Sequence, residues 1–189
     1  MPEVRAGLER HVPVDDREVR SRAALLEALG RLASPFDEHA ALEHVTASAV
    51  VVGVRGTVLH RHKRLRRWLQ PGGHVEEGEV PWEAAWREAT EETGLSLVHP
   101  PGGPRLIHVD VHDAARGHVH LDLRYLLVGP PCDPAPGPGE SPEARWFDWD
   151  SAVAVADVAL VGALRVAAAQ PEARTSAPPG PGTLVRPTT

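Results

Sequence analysis

The sequence predicts an α/β domain, and three stretches carry that prediction. Residues 45–54 are rich in Val, Thr and Ala and read as a buried strand. Residues 105–124 alternate polar and apolar side chains on either side of Ala114-Ala115-Arg116-Gly117, as the two strands of a hairpin do. Residues 80–93 follow a helical period instead: Trp82, Ala85, Trp86, Ala89 and Thr93 share one stripe. Pro81 suits a first helical turn, where its missing N–H costs nothing, and Gly94 suits the left-handed position after the last turn.

In chain order, residues 1–14 show no clear period. Asp15 with Glu18 three residues on reads as a capping box, and Val19, Ala23, Leu26 and Leu29 continue a helical stripe to about Leu32, where Ser34-Pro35 ends it. This helix is expected to pack on the core or on a second copy of the chain, which makes it the element for a homodimer. After the strand at 45–54, Arg55-Gly56 marks a turn and residues 57–62 a return strand. Residues 61–67 then carry a cluster of positive charge, in which Arg66 and Arg67 are candidate phosphate contacts or the solvated tip of a hairpin.

In the second hairpin His108, Asp110, His112, His118, His120, Asp122 and Arg124 face one way, and Ile107, Val109, Val111, Val119, Leu121 and Leu123 the other. The four histidines either line a phosphate pocket, with His120 as the candidate substrate contact, or bind a softer metal. Otherwise they belong to an exposed sheet face. Six prolines between Gly129 and Pro142 require a loop. Ala144 to Trp149 reads as a further strand, and Asp150 is expected to cap an Ala-rich helix running to about Ala169. Residues 171–189 have little to bury and are expected to be a disordered tail.

On the helix at 80–93, Glu88, Glu91 and Glu92 stand at i, i+3 and i+4 beside the apolar stripe. Like charges at this spacing destabilise a helix by a few tenths of a kcal/mol per pair, so something positive is expected among them. Hard divalent cations take oxygen ligands, and Mg²⁺ combines a few carboxylates with substrate phosphate oxygens. Glu79 and the Gly72-Gly73 backbone can bring further oxygens to the same end.

These residues carry a family resemblance. Gly73, five residues, Glu79, seven residues, Arg87-Glu88-Ala89, one residue, Glu91-Glu92, one residue and Gly94-Leu95 fit the Nudix box at every fixed position. The preceding Pro71-Gly72-Gly73 turn resembles the family as well. The resemblance covers residues 69–95 residue by residue and 45–169 in element order. It implies a Nudix-like α/β/α sandwich with a mixed β-sheet at residues 45–170, behind an N-terminal helical extension at 1–44. It implies Glu91 and Glu92 as principal metal ligands, Glu88 as ligand or base, Arg87 as the group that orients a carboxylate, and Gly72 as a backbone-carbonyl ligand. The activity implied is Mg²⁺- or Mn²⁺-dependent hydrolysis of the diphosphate linkage in a nucleoside diphosphate joined to another moiety. Glu88 and the late acids Glu140 and Glu143 are the candidate bases. The alternative is a non-catalytic Nudix module that binds and senses a nucleotide, but such modules often lose box carboxylates that are present here.

Composition narrows the partners. At 189 residues the chain reads as one domain with an appendage. The net charge of -6 argues against a nucleic-acid polymer or a membrane surface as partner, and leaves small phosphorylated nucleotides compatible because the metal supplies positive charge. Cys132 is the only cysteine, which points to a reducing compartment. No basic-then-apolar signal follows Met1 and no run approaches 18 apolar residues, so a soluble, cytoplasmic protein is expected.

Overall fold

β1 (Glu43–Gly53) is the strand against which the other elements are laid in this structure, a computed structural model that describes residues 2–175. It pairs antiparallel with β2 (Gly56–Arg61) at Val51↔Val58 and with β4 (Gly72–His74) at Thr46↔His74. It pairs parallel with β6 (Val119–Val128) from Glu43↔Val119 to Val52↔Val128, and β6 in turn is antiparallel to β5 (Leu106–Asp113). β2 also carries β3 (Trp68–Leu69) and β7 (Ala144–Phe147). The order is β3-β2-β1-β6-β5, a mixed sheet with β5 at an edge.

Alternation along β1 builds two apolar layers. Val45, Ala47, Ala49 and Val51 pack with Ala84, Ala85 and Ala89 of α3 (Pro81–Thr93), and with Val4 of α1 (Pro2–Arg10) and Leu25 of α2 (Asp16–Arg31). Val50 and Val52 pack with Ala152 of α4 (Trp149–Val155) and Leu160 and Leu164 of α5 (Val158–Ala168). The expected α/β/α sandwich with a mixed sheet is therefore the fold. No helix among the described residues is long and apolar enough to cross a membrane.

Several elements differ from the sequence reading, each for a physical reason. α1 forms where no period was visible, because its contact with the core is a single i, i+4 pair, Val4 and Leu8. α2 begins with half of the expected capping box, Asp15 accepting from the Glu18 N–H at 2.8 Å while the Glu18 carboxylate accepts from the Val14 N–H instead of that of Asp15, and Val19 and Ala23 of the expected stripe are exposed. Its buried face is Glu18, Ser21, Leu25, Ala28 and Leu29. Edge strand β5 explains this: the Val109 N–H donates to Glu18 Oε1 at 2.9 Å and the Val111 N–H to Ser21 Oγ at 3.1 Å. Two polar residues face inward because they satisfy a strand edge, which a count of apolar positions does not register.

In α3 Ala84 takes the inward place expected of Trp86, which is exposed and donates its indole N–H to the Leu97 carbonyl at 2.8 Å. Gly94 has φ +66, and a Cβ there would fall on the Ala135 carbonyl, so the glycine lets the Pro-rich loop lie across the helix end. The expected single C-terminal helix is two. Asp148, not Asp150, caps α4 by accepting from the Ser151 N–H, and Asp157 caps α5 by accepting from the Leu160 N–H. The polar face of the β5–β6 hairpin is buried rather than exposed at His108, Asp110, Asp122 and Arg124. Arg124 satisfies it, donating to Asp122 at 2.9 Å, to Asp110 at 3.5 Å and to the Ala159 carbonyl at 2.6 Å. A register shift between Leu106 and His108 sends Ile107 to the α5 layer instead of the side of Val109. The segment expected to be a disordered tail starts with a 3-10 turn, Pro171–Arg174, in which Glu172 and Ala173 are buried and Glu172 accepts from Arg105 at 3.1 Å. Residues 176–189 lie outside the described residues.

Candidate active site

The box carboxylates are brought together by one helix and one short strand. Pro81 opens α3 directly after Val80, whose N–H donates to Glu83 at 3.4 Å, and this sets the helical phase of everything that follows. Arg87, half-buried, is the hub. Its Nε and Nη2 donate to both oxygens of Glu79 at 2.8 and 3.0 Å, its Nη2 also to the His74 carbonyl at 3.1 Å, and its Nη1 to Glu88 at 2.9 Å and Glu91 at 3.5 Å. The bidentate pair with Arg87 holds Glu79 below the usual carboxylate range and raises the guanidinium further. The fork thus ties Glu79, in the loop before the helix, to strand β4 and to Glu88 and Glu91 of the helix, three of the four box carboxylates.

Glu88 and Glu92 are in the opposite electrostatic condition. Burial pushes Glu88 up against the pull of Arg87, and the charges of Glu91 and Glu140 add to the rise. Glu92 is pushed up to about 8, first by burial and then by Glu88, Glu140 and Glu91, although the Gly72 N–H donates to its Oε2 at 2.9 Å. His60 lies beside it, Nδ1 to Oε1 3.4 Å, and burial holds that ring down to about 4, so it brings no charge to offset the carboxylates. Carboxylates crowded this way, with a single arginine among them, fit a small hard cation whose charge would stabilise their ionised form.

Gly73 is the point where β4 passes the helix. A Cβ there would sit 2.5 Å from Glu88 Cδ. Gly73→Ala is expected to fold with little loss of stability, because the neighbour that must move is the end of a flexible side chain. Displacing Glu88 by about 1 Å is expected to cost up to about a hundredfold in turnover. A melting curve and a steady-state assay on the same variant check both halves.

Beside Glu92 a cavity of about 300 Å³ is lined by His60, His62, Lys63, Arg64, Glu140 and Ser141. The Lys63 ammonium donates to the Gly139 carbonyl and joins the basic hairpin to the Pro-rich loop. Of the two late acids, Glu140 lines this cavity, whereas Glu143 is paired with Arg61 at 3.1 Å. The basic segment does reach the site, through Lys63 and Arg64. Arg66 and Arg67 are exposed on the turn, Arg66 in the left-handed region with φ 56, and neither lines the cavity. His120 lies elsewhere, with His44 and His74. His60, which sequence reasoning did not single out, is the one buried ionisable side chain of the return strand, which ends in the partly exposed Arg61, and a histidine among buried apolar residues was its only signal. A larger cavity of about 480 Å³, between α1, Trp82 and Arg105, contains none of the box carboxylates.

Comparison with known proteins finds a matching family model and several relatives. The NUDIX domain family model matches residues 42–165. The asymmetrical bis(5'-nucleosyl)-tetraphosphatase of Caenorhabditis elegans is 30% identical over 101 residues, 51% of this chain and 70% of that protein. An RNA pyrophosphohydrolase of Sulfurovum sp. (strain NBC37-1) is 37% identical over 76 residues, 38% of this chain and 48% of that protein. The crystal structure of a NUDIX-family hydrolase from Clostridium perfringens superposes with a TM-score of 0.53 at 30% identity, covering 66% of this chain and 93% of that one. One of these relatives is named for an RNA substrate, so the expectation that nucleic-acid polymers are excluded finds no support among them.

Proposed function

The chain belongs to the Nudix family, and from that premise we propose that it is a cytoplasmic pyrophosphohydrolase that cleaves the diphosphate linkage of a nucleoside diphosphate joined to another moiety. The observation that carries the reading is the convergence of Glu88, Glu91 and Glu92 on the Arg87 fork and the Gly72-Gly73 turn, beside a cavity with Lys63 and Arg64 at its wall.

Glu88, Glu91, Glu92 and the Gly72 carbonyl would hold a divalent cation, with Mg²⁺ or Mn²⁺ suited to these oxygen donors. When bound, such a cation neutralises phosphate oxygens and lowers the pKa of a water. The protein supplies the rest. Arg87 positions Glu88 and Glu91 and keeps Glu79 ionised beside them. Lys63 and Arg64 meet the negative charge of the substrate. Glu140 lines the cavity wall, which supports it as the base that would take the proton of the attacking water as it adds to phosphorus and the bridging P–O bond breaks, with Glu88 as the other candidate.

The test is a hydrolysis screen of the purified chain. Nucleoside triphosphates, nucleotide sugars, dinucleotide polyphosphates and a 5'-triphosphorylated RNA are offered with Mg²⁺, with Mn²⁺ and with chelator. Metal-dependent release of a phosphorylated product from one compound is the expected result and identifies the substrate. Tight metal-dependent binding of one compound, with no turnover anywhere on the panel, would replace the enzyme by a nucleotide sensor.

A further inference from the structure

Strand β4 turns its two neighbouring residues to opposite faces of the sheet. Gly73 meets Glu88 on the α3 side, and His74 points to the other face, where it joins His44 of β1 and His120 of β6. Parallel pairing of β1 with β6 places His44 beside His120, and antiparallel pairing of β1 with β4 places His74 beside Thr46, one pleat along the same face. Ring centroids are 5.2 Å apart for His44 and His74, 5.1 Å for His44 and His120, and 5.5 Å for His74 and His120. One ring nitrogen from each of the three lies within 4.8 Å of the others.

The hydrogen bonding of these rings is incomplete in a way that points to a ligand. His44 is fully buried; its Nδ1 lies 3.4 Å from the Ala41 carbonyl, and its Nε2 has no hydrogen-bond partner among the described residues. A proton on Nδ1 directed at Ala41 leaves the Nε2 lone pair free of any partner among the described residues, in a ring that lies beside those of His74 and His120. Metal-ligating histidines commonly show this arrangement, one nitrogen on a backbone carbonyl and the other on the metal. The Glu38 carboxylate, 3.3 Å from His74 Nε2, gives the second ring a partner of the same kind. A zinc ion bonded to nitrogen at 2.0–2.1 Å needs ligand atoms about 3.4 Å apart, a contraction that the partly exposed rings of His74 and His120 can supply by rotating toward the buried His44.

We propose that His44, His74 and His120 form a binding site for a zinc-class transition cation, separate from the carboxylate centre. Donor chemistry divides the two sites: carboxylate oxygens on the α3 side of β4 select hard cations, and imidazoles on the opposite face select Zn²⁺, Co²⁺, Ni²⁺ or Cu²⁺. Three ligands from three strands clamp β4, β1 and β6 together beneath the box turn.

Co²⁺, whose visible spectrum reports its coordination, tests this on the full chain after treatment with chelator and with excess Mg²⁺ present to fill the carboxylate centre. The expected result is one Co²⁺ per chain with the intense bands of a four-coordinate ion. His74→Ala and His120→Asn are expected to weaken Co²⁺ binding by at least about tenfold at an unchanged circular dichroism spectrum. Glu92→Gln is expected to leave that binding unchanged. The assignment is overturned by a weak six-coordinate spectrum, by wild-type Co²⁺ affinity in folded His74→Ala, or by loss of the bands in Glu92→Gln. Because the readout is spectroscopic, it stands whether or not the chain hydrolyses any compound in the substrate screen.

Discussion

Glu92→Gln is expected to lower the hydrolysis rate at least about a hundredfold, while the metal-free protein melts at the same temperature as wild type or higher. Removing a metal-ligating charge at a phosphoryl-transfer centre forfeits several kcal/mol of transition-state stabilisation, and about 3 kcal/mol is already a hundredfold. Stability moves the other way because burial and three neighbouring carboxylates disfavour the ionised Glu92 side chain in the folded state. A neutral amide removes that penalty and can still accept from the Gly72 N–H, now at 2.9 Å from Glu92 Oε2. Glu91→Gln should share the loss of activity with no stability change, since its side chain is exposed and, among the described residues, its one ion pair is with Arg87, at 3.5 Å. Steady-state assays with saturating Mg²⁺, alongside thermal melts in chelator, measure both quantities. A near-wild-type rate in either variant would falsify the ligand assignment.

The largest effect on stability is expected at Glu18. Its carboxylate is fully buried and accepts from His11 Nε2 at 2.7 Å, the Val14 N–H at 2.7 Å and the Val109 N–H at 2.9 Å. Glutamine offers one acceptor oxygen where the carboxylate has two, and turns an amide N–H₂ toward groups that donate. Leaving a buried hydrogen-bond donor without its acceptor costs about 1–3 kcal/mol per group, which for a chain of this size lowers the melting temperature by roughly 10 °C when two are lost. The pH dependence has a definite sign. Burial pushes the Glu18 carboxyl up, but His11, His108 and the two backbone N–H groups together hold it below the usual carboxylate range. A lowered carboxyl contributes stability at pH above its unfolded value, about 4.3, and loses it as pH falls through the folded value. The gap between wild type and Glu18→Gln should therefore be full at pH 7 and shrink in acid below about pH 4.3. Urea unfolding of both proteins at pH 7, 5 and 3.5 reads this directly, and a gap that widens in acid would contradict the assignment.

Glu18 also shows what limits the reading of a sequence. Its place in the first turn was legible, because a cap depends on positions three apart and Asp15 accepts from its N–H, although its carboxylate accepts from the Val14 N–H rather than closing a capping box on Asp15. Its bond to Val109 was not, since that partner comes from an edge strand far along the sequence, and the inward face of α2 was misplaced for the same reason. The Ala-rich C-terminal segment carried a similar ambiguity: Asp148, Asp150 and Asp157 are all competent caps, and packing of two short helices on Val50 and Val52 selected the first and the third.

At the active site the division follows range. The sequence alone determined the start of α3 at Pro81, its stop at Gly94, and the placing of Glu88, Glu91 and Glu92 on one face with Arg87 among them, because helix period and terminal chemistry are short-range. Only the tertiary structure decided that Glu140 and not Glu143 lines the cavity, that Lys63 and Arg64 rather than Arg66 and Arg67 do so, and that His120 lies with His44 and His74 across the sheet from Glu88. Each of those outcomes depends on strand register and on which strand lies next to which. Register is fixed by backbone pairing between residues distant in sequence, as in His44 with His120, and a one-residue slip would turn every one of those side chains to the other face.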